Sequence, residues 1–408
     1  MDCRHCKATL SHTFIDLGFA PPSNSYLTKS ELTKVEIYYP LKVKVCDSCW
    51  LVQTEDYAGA DELFTNDYAY FSSTSKSWLL HAELFAKDII EKLELSRNNF
   101  IIEVASNDGY LLKNFINYGI PCLGIEPTES TANAAEKLGI PILKEFFSEK
   151  IAKSLAKDGK KADLIVANNV LAHVPDINDF TKGLKAVLKK SGTISIEFPH
   201  LLSLIEGCQF DTIYHEHFSY LSLISITSIF DMAGLRVWDV EKIKTHGGSL
   251  RIFGCHKEDL RKTKKNVFEL MELEIEYGLN KFETYYGFQS KAEKIKDNLI
   301  SFLIEQKRNS RSVVAYGAAA KGNTLINFAG IKQDLLTFVC DSSASKQGKY
   351  LPGSHIPIFS LEHLINFRPD NILILPWNIS AEIHSILKEK IKYDVNFMTV
   401  VPNIEVLF

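Results

Sequence analysis

From residue 100 onward, short apolar runs alternate with stretches of helical spacing. Phe100-Ile101-Ile102-Glu103-Val104 is apolar at all but one position, the pattern of a strand covered on both faces of a parallel sheet. A helix is expected over Tyr110–Tyr118, a strand over Pro121–Ile125, a helix over Ser130–Leu138 and a third strand around Ile140–Leu143. Strands at Ala162–Ala167 and Thr193–Ile196 continue the series. Ser222 is placed to cap a helix over Leu223–Ala233, and Gly234 takes the position that ends it. Leu235–Val240 and Ser249–Gly254 then predict a closing antiparallel pair. The pattern is that of a Rossmann-like α/β sheet.

A helix over Ser77–Leu93 precedes this sheet, and a second strand–helix series follows it. The charged stretch Asp259–Arg308 has helical apolar spacing in Val267–Leu279 and Ile295–Ile304. Ser312–Tyr316 is a strand, and Gly317-Ala318-Ala319-Ala320-Lys321-Gly322-Asn323-Thr324 turns from it into a helix. Leu336–Cys340, Asn371–Leu375 and Val395–Val400 are further strands. The expected division is a small module over 1–66, a central α/β domain over 67–256, and a helical connector with a C-terminal Rossmann-like domain over 257–408.

Cysteine adds what the hydrophobic pattern omits. Cys122, Cys208, Cys255 and Cys340 lie in apolar surroundings and read as small core residues. Cys3, Cys6, Cys46 and Cys49 form two Cys-x-x-Cys knuckles, whose four thiolates would close one structural zinc site with no vacancy for substrate. His5 and His12 read as bystanders. A module of about 60 residues has little core of its own, so metal binding would supply much of its folding energy, on the order of 10 kcal/mol. A formal charge of -4 over 408 residues argues against a nucleic-acid or anionic-membrane binder. No run is long enough to span a bilayer, and Met1-Asp2-Cys3-Arg4 lacks the features of a signal peptide. A cytoplasmic protein is expected, its oligomeric state open between a monomer and a larger assembly.

The loops after the strands select the ligand. A dinucleotide site needs several glycines so that backbone can approach a diphosphate. After Val104 comes Ala105-Ser106-Asn107-Asp108-Gly109, with one glycine and three polar side chains. That set suits a ligand with an amino-acid end, and Glu126 ends the next strand where it can accept both ribose hydroxyls. The combination fits S-adenosylmethionine (SAM) better than NAD. Contacts to it are expected from Glu103, Ala105, Ser106, Asn107, Gly109, Glu126, Pro127, Asn168 and Asn169. In the C-terminal domain, small residues at a helix start with Lys321 suit an anion, and Asp341 at a strand end suits a ribose. The alternative there is a purely structural Rossmann-like half.

Asp211-Thr-Ile-Tyr-His-Glu-His-Phe-Ser-Tyr220 carries two Tyr, two His and one Glu within seven positions, Tyr214 to Tyr220. Acid–base chemistry asks for a base near neutral pKa, a carboxylate to orient it and a hydroxyl donor opposite. The competing readings are a buried polar strand whose groups satisfy each other, and a metal site on His215 and His217, alternate residues that would share a strand face.

Taken together, Cys3/Cys6/Cys46/Cys49, Glu103-Val-Ala-Ser-Asn-Asp-Gly109, Tyr214-His-Glu-His217, His246-Gly-Gly-Ser-Leu-Arg251 and Gly317–Thr324 resemble the nucleotide-sugar C-methyltransferases. The resemblance runs in one order over nearly the whole chain. It implies a zinc-bearing N-terminal module, a central class I SAM methyltransferase sheet, and a C-terminal domain helping to hold a nucleoside-diphosphate 4-keto-deoxyhexose, dTDP- or GDP-linked. Lys321, Gly322, Asn323, Asp341 and Lys346 are the expected sugar-nucleotide contacts. The resemblance makes His217 the base, with Tyr214 and Glu216 beside it and His173 and Tyr70 lining the site. His217 would take a proton from C3, Glu216 would fix its tautomer, and Tyr214, His173 or Tyr70 would hydrogen-bond the enolate. A zinc-containing NAD-dependent sugar oxidoreductase and a non-catalytic zinc-ribbon module that recognises carbohydrate or RNA are the alternatives.

Overall fold

The structure is a computed structural model in which residues 1–55 and 71–407 are described. Tyr70, the aromatic run before it and the boundary at 66/67 lie outside them. The described residues form three sheets. In the first, β1 (His12–Ala20), β2 (Tyr39–Val45) and β3 (Val52–Thr54) are antiparallel. The second uses β4 (Ile101–Val104), β5 (Cys122–Ile125), β6 (Ile142–Leu143), β7 (Ala162–Asn168) and β8 (Leu188–Pro199). A short strand, β9 (Ser219–Tyr220), leaves this sheet to pair with β3, adding a fourth strand to the first one. β10 (Leu235–Ile243) and β11 (Ser249–His256) then complete the second sheet in the order β10-β11-β8-β7-β4-β5-β6.

The chemistry of the second sheet follows from that order. β4 pairs in parallel with β5 on one side and β7 on the other, so the loops leaving β4 and β7 part at a switch point, where a ligand crevice opens. Its strands are apolar because both faces are covered; Ile101, Ile102, Leu164, Ile165 and Val166 are fully buried. Ser222 accepts from Ser225 N–H and Gly234 closes the helix Leu223–Ala233 in the left-handed region, as the sequence predicts. The closing pair β10–β11 is antiparallel.

The third sheet holds β12 (Val313–Tyr316), β13 (Val339–Cys340), β14 (Ile358–Phe359), β15 (Asn371–Ile374), β16 (Asn396–Thr399) and β17 (Glu405–Leu407). All but the last pairing are parallel. Apolar packing does not respect sheet boundaries. Phe14, Ile15 and Leu41 of the first sheet share a core with Phe288 and Leu299 of the helix Phe288–Arg308 and with Ala315 and Leu325 beyond it. Cys3 and Cys46 sit in the core of the second sheet, beside Leu223 and Ile226. The N-terminal strands are thus wedged between the other two units.

Candidate active site

The carboxyl edge of the second sheet is lined by polar groups without partners. Glu103 projects from β4, almost fully buried, with Oε2 unpaired. Burial, and then the charges of Glu126 and Asp108, push its carboxyl well above the usual range. Asp108 Oδ1, Asn168 Oδ1 and both amide atoms of Asn169 also lack partners. Leaving such groups bare costs about 1–3 kcal/mol each, so the edge is built for a polar ligand. The backbone conforms to the same purpose, with Ala105, Asn107 and Asn169 at positive φ. At Gly109 (φ +80) a Cβ would stand 2.3 Å from Ile140 Cδ1, so only glycine lets the loop pass that helix–strand junction.

Three acidic side chains, Glu103, Asp108 and Glu126, suit the ammonium and sulfonium of SAM, and the bare oxygens supply its hydrogen-bond acceptors; the residues fit this cofactor. Glu126 is more heavily engaged than the sequence suggests. Its oxygens accept from Asn107 N, Thr128 N and Thr131 Oγ1 at 2.9–3.1 Å, so it braces the cofactor loop as well as ending β5. Pro127 carries the chain from Glu126 to Thr128. Ser106, fully buried, faces Gly124 on β5. Asn107 Oδ1 and Asp108 Oδ2 accept from the N–H groups of Ser72 and Ser73, which lays that segment over the loop.

Residues 210–220 form a 3-10 turn, Phe210–Thr212, a loop, and then β9, rather than one strand. Consecutive side chains therefore diverge. His215 turns to the first sheet, its Nε2 3.3 Å from Pro40 O. His217 turns the other way, its ring centroid 4.0 Å from Tyr214 and 4.6 Å from His173. The two histidines do not share a metal site. Glu216 does not orient His217 either: its Oε1 accepts from Asn24 Nδ2 (3.1 Å), and its backbone O accepts from His173 Nδ1 (2.8 Å). The orienting group is Thr212 O, 2.8 Å from His217 Nδ1. A carbonyl only accepts, so the proton is on Nδ1 and Nε2 keeps its lone pair.

Burial first, and then the His173 ring, hold His217 well below the ordinary imidazole range. Burial lowers His173 to about 4. Both rings are neutral at physiological pH. His173 carries its proton on Nδ1, bonded to Glu216 O, so its Nε2 has none to donate to an enolate, contrary to one of its expected roles. Burial also lifts Glu216 to about 7 and raises Tyr220, whose ring centroid is 6.2 Å from that of His217, well above its usual value.

Groups without an assigned role complete the surroundings. His246 sits at φ +54 on the tip between β10 and β11, its Nε2 buried and unpartnered. Trp377 donates from Nε1 to Asp211 Oδ2 (2.7 Å). Asp211, Tyr220 and His246 stand inside motifs already singled out. Trp377 has only its place just past β15 as a signal, and Asn24, in a loop, has none. Beside this region a cleft of about 280 Å³ is lined by His81, Phe85, Lys244, Thr245 and Arg251, among others. Two of these side chains are already engaged: His81 and Arg251 both lie 3.0 Å from buried Glu197.

The expected sugar-nucleotide residues stand around one helix start, with Lys346 and Asp341 paired at 3.7 Å. Lys321 reaches Asn378 Oδ1 (2.5 Å) and lies 4.6 Å over the Trp377 ring, beside Asp211. Gly322 packs on Leu375, and Asn323 is fully buried with its Nδ2 3.5 Å from Ser23 O. Asp341 accepts from Ala318 N and Ser343 N, each at 2.8 Å. Lys346 donates to Ala318 O (2.8 Å).

The four knuckle sulfurs lie within 4.8 Å of one another, Cys3–Cys49 at 3.6 Å and Cys6–Cys46 at 3.5 Å. Tetrahedral Zn–S bonds of about 2.3 Å put sulfurs ~3.8 Å apart, so this set fits zinc. Gln53 Nε2 donates to Cys3 Sγ (3.2 Å), and His5 is bound instead to Asn178 and Ser228.

A seven-stranded sheet of this order with an acidic, partnerless carboxyl edge defines a SAM-dependent methyltransferase. The comparisons narrow the class. A C-methyltransferase C-terminal domain family matches residues 244–402, a zinc binding domain family residues 3–64, and a methyltransferase domain family residues 78–240. The chain is 30% identical to C-methyltransferase NovU of Streptomyces niveus over 406 residues, 100% of this chain and 96% of that protein. It is 25% identical over 171 residues to the ubiquinone biosynthesis O-methyltransferase of Coxiella burnetii, 38% of this chain and 72% of that one. Magnesium protoporphyrin IX methyltransferase of Synechocystis PCC 6803, solved with bound SAM, aligns at 12% identity and TM-score 0.34, covering 44% of this chain and 79% of that one. The chain belongs to the zinc-bearing, SAM-dependent C-methyltransferase family. The oxidoreductase and binding-module alternatives fall with that membership.

Proposed function

We propose that this enzyme methylates a carbon next to the ketone of a nucleoside-diphosphate 4-keto-deoxyhexose, at C3, with His217 as the base. The observation that carries the reading is the Nδ1–H bond from His217 to Thr212 O, which leaves the lone pair on Nε2, with the ring 4.6 Å from His173, four residues past Asn169. Building a C–C bond requires a carbon nucleophile, and the hydrogen next to a ketone is the accessible one. The substrate class follows the resemblance noted in the sequence. Residues 1–66, 67–256 and 257–408 would serve as zinc module, SAM domain and nucleotide-sugar domain.

SAM, when bound, supplies an electrophilic methyl on sulfonium sulfur. Glu103, Asp108, Asn168 and Asn169 would hold it, with Glu126 keeping their loops in register. His217 Nε2 takes the C3 proton; the C–H pair moves into the C3–C4 bond and the carbonyl pair onto oxygen. The pair returned from oxygen would make C3 the nucleophile toward the methyl that bound SAM would supply, the sulfide leaving with the electrons of the S–C bond. Tyr214 would contact the sugar, as Tyr70 would on the resemblance, while His173 excludes water beside the base. Supporting this, Nε2 is neutral and aprotic at working pH, as a base requires.

The test is incubation with SAM and dTDP- or GDP-linked 4-keto-6-deoxyhexoses, followed by mass spectrometry. A product heavier by one methylene, with the methyl on carbon by NMR, is expected. Methylation on oxygen, or none with any ketosugar nucleotide, would end the proposal.

A further inference from the structure

The helix Ala320–Phe328 carries Lys321 at its second position, and the expected use for that residue is a phosphate in the C-terminal unit. Its surroundings argue for another. Thr324 Oγ1 of the same helix donates to Ile213 O (2.9 Å), one residue before Tyr214. Trp377, under the Lys321 ammonium, packs against the backbone of Gly247, where a Cβ would lie 2.4 Å from the ring. Gln209 Nε2 donates to Gly247 O (2.9 Å) and ties the same tip to the catalytic loop. The ammonium is thereby held between the loop of His217 and the tip bearing His246.

Among the described residues Lys321 forms no ion pair, and its neutral partners are Asn378 and Trp377. Asp211, the nearby carboxylate, has one oxygen taken by Trp377 and the other without a partner. A half-buried ammonium without a contacting carboxylate is a ready partner for an anion. The positive end of its helix adds to that attraction.

We propose that Lys321 is a catalytic residue lent by the C-terminal unit, its ammonium receiving the oxyanion that forms on the substrate's ketone as His217 takes the neighbouring proton. This rests on the ketosugar reading above. One positive charge beside neutral imidazoles matches the single charge of an enolate, whereas a diphosphate asks for several donors. The charge also supports the assignment through its reach: it counts among the influences lowering both His217 and His246. A base so weakened leaves much of the work to stabilisation of the oxyanion.

The experiment compares Lys321→Met and Lys321→Arg with wild type in steady-state kinetics, nucleoside-diphosphate binding and pH–rate profiles. Losing one oxyanion donor should lower kcat of Lys321→Met by about 10²–10³-fold. KM and binding of the free nucleoside diphosphate should hold, and Lys321→Arg should recover part of the rate. The acid limb of kcat/KM should move to higher pH, because His217 loses a positive neighbour. A raised KM with weakened nucleoside-diphosphate binding and intact kcat would overturn the proposal in favour of a phosphate contact. Unchanged kinetics in both variants would overturn it outright. A wild-type enzyme that methylates no ketosugar nucleotide would remove the underlying reading as well.

Discussion

Two sheets in this chain end in the kind of loops that bind nucleotides, and they have been finished differently. At the edge of the second sheet, Glu103, Asp108, Asn168 and Asn169 keep buried polar atoms without partners. At the edge of the third, Asp341 is saturated by Ala318 and Ser343, and Lys346 closes on Ala318 O. The first edge keeps several bare polar atoms for a ligand; the second has bonded most of its own, with Asn323 Oδ1 left bare. What the third sheet gives to catalysis, on the reading above, is one helix start aimed at the neighbouring site.

Metal removal should separate the two edges most widely. β3 pairs with β9, so the knuckle that supports β3 also supports the end of the catalytic loop. Chelation, or Cys46→Ser with Cys49→Ser, should forfeit on the order of 10 kcal/mol of folding energy in the N-terminal module. Hydrogen exchange should then show protection lost at Ser219–Tyr220 and kept in β12. Equal loss at both would mean one cooperative unit and would erase the distinction.

A smaller effect compares the edges directly. Glu103→Gln should weaken SAM by about 10–100-fold, the value of one charged hydrogen bond. It should not lower the melting temperature of the unliganded enzyme, since it removes a strained buried carboxyl. Asp341→Asn should do the reverse, leaving SAM affinity intact and costing about 1–3 kcal/mol as two backbone N–H groups lose a charged acceptor. Calorimetry and thermal melts read both.

The smallest is a pH effect. Glu216 holds its proton in the fold up to about 7 against an ordinary 4.5, so the folded state binds more protons than the unfolded one between those values. Wild-type stability should fall across that window as pH rises. Glu216→Gln removes the dependence, so denaturation curves should coincide below pH 4.5, diverge in favour of the variant through about 7, and run parallel above.

Hydrophobic period and capping made the second sheet legible: Ser222 and Gly234 bracket their helix as expected, and every predicted strand lies in its place. The knuckle spacing was equally plain, because four cysteines at those intervals have few other uses. The stretch around His217 was legible in composition and not in conformation. Strand alternation would put His215 and His217 on one face, whereas a loop separates them and gives the orienting role to Thr212 O, a backbone atom that no side-chain pattern reveals. Lys321 was visible as a cation at a helix start, but only packing between units shows where it points.

The central claim is that Nε2 of His217 removes a proton from carbon. The direct measurement is exchange into the ketosugar nucleotide in D₂O, with S-adenosylhomocysteine in place of the methyl donor, followed by NMR at C3. Wild type should incorporate one deuterium there, and His217→Asn should slow that exchange by about 10²–10⁴-fold while binding SAM normally. Exchange at C3 that proceeds undiminished in His217→Asn would contradict the account.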